Sequence, residues 1–122
     1  MSDSTTNIEA LLSDIVKSLD EKLASDIRVI DISQISIMAD YLVIASGNNP
    51  NQIHAIVDNM LENIHKSNII PRSIEGYYNA NWVLIDLNDI IIHIFDPSNR
   101  EFYNLERLFA DGKTIDLTPF IP

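Results

Sequence analysis

The chain has 122 residues, no cysteine, and 18 acidic against 8 basic residues, for a formal net charge of −10. That length suits one domain with its own core, the missing thiols exclude disulfides and thiolate zinc sites, and the negative field disfavours direct binding to nucleic acid. The apolar runs are far too short to span a bilayer and the polar start lacks the order of a signal peptide, so a cytoplasmic protein with no membrane partner is expected.

Residues 1–6 read as a flexible leader. From 7 to about 24, Ile8, Leu11, Leu12, Ile15, Val16, Leu19 and Leu23 recur at helical spacing, with Thr6 or Asn7 as the cap. Residues 26–32 alternate as a strand covered on the face of Ile30 and Ile32. Residues 40–46 are almost continuously apolar, as in a central strand buried on both sides. Gly47 ends that run, and Pro50 suits the first turn of a second helix reaching about residue 67. Its buried stripe is Ile53, Ile56, Val57, Met60, Leu61 and Ile64, with Asn68 as the cap and Pro71 as a stop.

Residues 72–78 read as a strand and 79–81 as a turn. Residues 82–87 and 90–95 form a hairpin about Asn88 and Asp89. A last short helix starts near Ser98 or Asn99 and ends by Gly112. Residues 113–122, with Pro119 and Pro122, read as a loosely attached extension. The order predicts an α/β domain over residues 7–112, with a single mixed β-sheet of about five strands flanked by helices.

Few motifs here carry chemistry. Gly47-Asn48-Asn49-Pro50 lies where a phosphate cradle would, but no glycine-rich run with a following Lys-Ser or Lys-Thr is present, and a turn with a helix cap explains it. His54 and His65 stand three turns apart on one helix, and His93 alternates with isoleucines as a hydrogen-bonded strand histidine would. Asp86 and Asp89 flank the hairpin turn. Their spacing does not make the converging pair that two-metal chemistry needs, so they are either turn and edge charges or acids that meet a basic partner. No catalytic residue, metal site or cofactor is expected. The single tryptophan, Trp82, is either a core residue or an interface anchor; in the second case Trp82 and Leu87 hold a partner and the acids steer it.

The ordered series Asp40-Tyr41-Leu42-Val43-Ile44-Ala45-Ser46-Gly47, Glu75-Gly76, residues 82–89, His93-Ile94-Phe95 and residues 100–106 with Leu108 resembles the ribosomal silencing factors, RsfS or Iojap-like proteins, over about residues 8–116. The resemblance implies a nucleotidyltransferase-like topology without that superfamily's catalytic acids, in a bacterial cytoplasmic protein. It also implies binding to large-ribosomal-subunit protein fourteen, a basic protein at the inter-subunit face, which would block the small subunit and repress translation when nutrients are short. By position, Trp82, Asp86, Leu87 and Asp89 would form the interface, with Glu75 and Tyr103 beside them. Two departures stand out. Asn48, Asn49, Asn51 and Gln52 replace the family's usual Thr-Ser and Arg-His, and Leu108-Phe109 replaces its Leu-Trp. The competing readings are a nucleotidyltransferase-like enzyme acting on a nucleotide, and an acidic module whose hairpin face pairs two copies as a homodimer when free.

Overall fold

The computed structural model describes residues 4–121, with side chains from Ile8 onward, so residues 1–3 of the expected leader and Pro122 of the expected extension lie outside the described residues. Helix α1 (Ser4–Glu21) leads into β1 (Ser25–Asp31) and β2 (Tyr41–Ser46). Helix α2 (Pro50–His65) follows, then β3 (Ser73–Glu75), β4 (Trp82–Asp86) and β5 (Ile90–Phe95). The chain closes with α3 (Pro97–Tyr103), α4 (Leu105–Leu108) and β6 (Lys113–Thr114). The strands form one six-stranded sheet in the order β3-β4-β5-β2-β1-β6. Only the β2–β5 pair is parallel; the other four ladders are antiparallel, so the sheet is mixed as expected.

Each sheet face has its own apolar cluster. On one face Val29, Val43, Ala45, Val83, Ile85, Ile92 and Ile94 meet the stripes of α1 and α2. On the other, Ile30, Leu42, Ile44 and Phe95 meet Leu105 and, at the margin, Phe109 and Trp82. Helix α2 follows its sequence signals closely. The Asn49 side chain accepts the Gln52 N–H and Pro50 occupies the first turn; the helix ends at His65 with Lys66, not Asn68, as its cap, and Asn68 at φ 63° turns the chain two residues later.

The departures have local causes. Helix α1 starts at Ser4, so neither Thr6 nor Asn7 is its cap, and it stops at Glu21 because Leu23 adopts φ 62°. Strand β1 is covered on both faces, since Val29 packs with the helices while Ile30 faces away from them. Strand β3 is three residues long, because Gly76 at φ 78° turns the chain out before Tyr77. The final helix is two helices, broken at Asn104 by its left-handed conformation (φ 47°, ψ 60°). The tail is not loosely attached. Residues Lys113 and Thr114 pair with Asp31 and Ile30, and Ile115, Leu117, Phe120 and Ile121 pack on the helix-side cluster.

Candidate functional site: the aromatic face of the sheet

Side chains alternate along a strand, so β4 presents Trp82, Leu84 and Asp86 on the face away from α1 and α2. Register places Trp82 opposite Phe95, Leu84 opposite His93, Asp86 opposite Ile91, and Glu75 beside Leu84. Helices α3 and α4 cover only part of this face. Trp82, Leu84 and Ile91 stay half-buried, Glu75 is exposed, and Tyr103 is 45% exposed.

The rings form one contiguous cluster. Trp82 lies 5.1 Å from Phe95 and 4.5 Å from Tyr103 between centroids, and Phe102 meets Tyr103 edge-on at 5.0 Å. Offset and edge contacts of this kind are worth about 0.5–1.5 kcal/mol each beyond burial. Phe102 and Leu108 are largely exposed, and an open groove of about 530 Å³ runs between them, lined also by Glu101, Asn104 and Arg107. The apolar face thus continues from the sheet onto the α3–α4 elbow.

His93 orients the indole. Trp82 Nε1–H donates to His93 Nδ1 at 2.8 Å, which requires the neutral imidazole with its proton on Nε2. Burial holds the His93 pKa down at about 4, because the charged ring would lose its hydration with no carboxylate to repay it. This strand histidine is therefore the hydrogen-bonded group its alternation suggests, and it locks the tryptophan.

The residues singled out in the sequence do not all meet here. Trp82, Glu75, Asp86 and Tyr103 lie on or beside the aromatic face. Leu87 is 8% exposed within the helix-side cluster, on the opposite side of the sheet from Trp82, so it supports the hairpin from beneath. Asp86 is neither a solvated edge charge nor an open acid. Arg72 Nη2 donates to its Oδ2 at 2.6 Å, and its Oδ1 accepts the Asn88 N–H at 2.8 Å. Asp89 is exposed at the hairpin turn, its carbonyl accepting the N–H groups of Asp40 and Tyr41. Leu84 and Ile91 were not picked out in the sequence, although the two-residue period from Trp82 points to Leu84.

Among the described residues no three His, Asp or Glu side chains converge as a metal site, and no helix is long and apolar enough to cross a membrane. Gly47 to Pro50 forms the α2 cap: Asn48 N–H donates to Gln52 Oε1, and Gln52 Nε2 reaches the carbonyls of Lys22 and Leu23. The two asparagines and Gln52 thus tie the start of α2 to the end of α1.

Fold and face together define a small α/β protein organised around an open aromatic surface rather than a cleft. Residues 5–121 match the family described as "Ribosomal silencing factor during starvation". The Bacillus subtilis protein named ribosomal silencing factor RsfS is 36% identical over 111 residues, 91% of this chain and 94% of that one. Its Zymomonas mobilis namesake is 42% identical over 108 residues, 88% of this chain and 81% of that one. A mouse protein named mitochondrial assembly of ribosomal large subunit protein 1 is 32% identical over 99 residues, 79% of this chain and 43% of its own length. The crystal structure of a Bacillus halodurans protein has a TM-score of 0.79 at 34% identity, covering 89% of this chain and 99% of that one. This chain belongs to the ribosomal silencing factor family, a family of translation regulators.

Proposed function

We propose that this chain silences translation by seating its aromatic face on a basic protein of the large ribosomal subunit, protein fourteen at the inter-subunit surface, so that the small subunit cannot join. The observation that carries the reading is the unfinished burial of that face: Trp82, Leu84, Ile91 and Tyr103 leave apolar area open next to Glu75. A net charge of −10 favours encounter with a positively charged partner. Family membership supports ribosome silencing, its description names starvation, and the mouse relative's name refers to the large subunit. In this reading Trp82 and Tyr103 anchor the contact, Leu84 and Ile91 fill its centre, and Glu75 and Asp89 steer from the edge. Leu87 and Asp86 hold the hairpin in shape.

Full burial of a tryptophan removes about 150–250 Å² from water, worth roughly 4–6 kcal/mol at about 25 cal/mol per Å². Trp82 is already half-buried, so a partner gains roughly 2–3 kcal/mol from it, or an affinity change of about 30- to 150-fold. The test is sucrose-gradient fractionation with purified subunits. The wild-type chain should travel with large subunits, be absent from joined ribosomes and reduce joining, while folded Trp82→Ala should largely stay at the top of the gradient. Migration with joined ribosomes, or unchanged co-sedimentation of the variant, contradicts the proposal.

A further inference from the structure

Arg100 is a charged residue that the fold buries, at 8% exposure. Its guanidinium reaches four residues on three segments. Nε–H donates to Glu106 Oε2 at 3.0 Å, and Nη2 lies 2.9 Å from the same oxygen. Nη1 donates to Ser46 Oγ at 3.0 Å and, more weakly, to the Ser25 carbonyl at 3.4 Å. Nη2 also stands 3.4 Å from Asp26 Oδ2. One side chain of α3 is thereby tied to α4, to the start of β1 and to the end of β2.

The receiving side is shaped for it. Asp26 sits at φ 48° in the register shift that opens β1 between Ser25 and Arg28. Arg28 Nε donates to Asp26 Oδ1 at 2.9 Å; that bond first, and the Arg100 charge after it, hold the Asp26 pKa below the usual carboxylate range. The carboxylate is therefore charged and oriented toward Arg100 across neutral pH. A planar fork of five donors can serve such dispersed acceptors; a lysine ammonium, a single point of charge, cannot.

Tyr103 lies one turn beyond Arg100, and left-handed Asn104 follows it before Leu105 enters the core. Helices of seven and four residues are too short to hold such an elbow alone. We infer that Arg100 is a positioning residue for the partner face: by clamping the α3–α4 elbow to the sheet it keeps Tyr103 packed against Trp82 in the geometry that the partner meets. This rests on the reading of that face as the ribosome-binding surface, and it assigns a task to a residue that never touches the partner.

Trp82 is the only tryptophan, so its fluorescence reads the elbow directly. The experiment uses the full chain with Arg100→Lys, Tyr103→Ala and the double variant. Each is checked by far-ultraviolet circular dichroism, then measured for emission and for large-subunit co-sedimentation. Arg100→Lys should shift Trp82 emission to the red as Tyr103 leaves it, and weaken co-sedimentation about tenfold, as loss of one anchoring contact does. Tyr103→Ala should give the same shift, and the double variant should add little to either effect, the mark of two residues acting as one unit. Folded Arg100→Lys with wild-type emission, or a double variant that sums the single effects, overturns the inference. Should Arg100→Lys fail to fold, Glu106→Gln, which keeps Arg100 but weakens its main partner, must give the same shift, and wild-type emission from it counts against the clamp. If the wild-type chain ignores large subunits, the proposed function fails, while the emission series still decides whether Arg100 poses Tyr103.

Discussion

Acidification should weaken this fold through one residue. His93 is neutral and buried, with a pKa of about 4 against an ordinary value of 6.5. In the unfolded chain the ring takes up its proton as pH falls through 6.5, whereas the folded protein resists until about pH 4, so protonation favours the unfolded state in that window. The depressed folded pKa means that the stability is fully present above about pH 6.5 and is lost as pH falls toward 4. At 1.36 kcal/mol per unit the whole loss is about 3 kcal/mol, with about 2 kcal/mol already gone by pH 5. The lowered pKa of Asp26 acts only below the carboxylate value of 3.8, outside this range. Urea unfolding of wild type and His93→Leu from pH 7.5 to 4.5 isolates the effect, since the leucine variant lacks the titrating ring. The wild-type midpoint should fall with acid and the variant's should fall much less. A charged imidazolium would also lose its bond from the Trp82 indole, so tryptophan emission should titrate near pH 4. Parallel slopes for the two proteins, or a midpoint near 6.5, would refute the burial argument.

Two further outcomes follow from the face and its frame. At Gly76 (φ 78°) an added Cβ would collide with the Trp82 carbonyl oxygen, so Gly76→Ala should cost about 1–3 kcal/mol of stability, measured by thermal or urea unfolding. Because Arg72 already neutralises Asp86 while Glu75 and Asp89 are exposed, Glu75→Gln with Asp89→Asn should slow association with large subunits roughly two- to fivefold at low salt and hardly at all at high salt. Removing the pair together, Arg72→Gln with Asp86→Asn, leaves the net charge unchanged and should leave that rate near wild type in a stopped-flow measurement.

The sequence was most legible where periodicity is long and local chemistry agrees with it. The apolar run from Tyr41, the α2 stripe with Asn49 and Pro50 ahead of it, and the hairpin about Asn88 at φ 74° all stand where their residues place them. Most of what escaped depends on contacts distant in sequence. The local sign of a break in residues 97–109 is a single asparagine: Asn104 caps the end of α3 in the left-handed region and the start of α4 through its side chain, which accepts the Arg107 N–H. Strand β6 is two polar residues with no alternation to read, held by the edge of β1. Arg72 and Asp86 meet only through the β3–β4 register. At the site, the resemblance points to Leu87, but that residue follows the end of β4 and packs in the helix-side cluster, and the two-residue period from Trp82 favours Leu84.

Under the proposed function, the two sheet faces divide stability from recognition. The helix-side face is almost wholly aliphatic and closed, with Ile85, Ile90, Ile92 and Ile94 at 0% exposure. It carries the fold without help from outside. The other face is aromatic and only partly roofed, and each half-buried side chain there forgoes about half of the 1.5–3 kcal/mol that closing over it would yield. A protein with a net stability of about 5–15 kcal/mol can leave several such side chains open only if the opposite core is complete. The forgone burial then becomes available to whatever covers the face. Fixed rings held by His93 and by the Arg100 clamp lose little freedom when that happens, so most of the recovered burial can appear as affinity. Stability and binding should therefore respond to different substitutions: Ile92→Ala should unfold the protein more readily while the folded fraction still binds, and Trp82→Ala should do mainly the reverse.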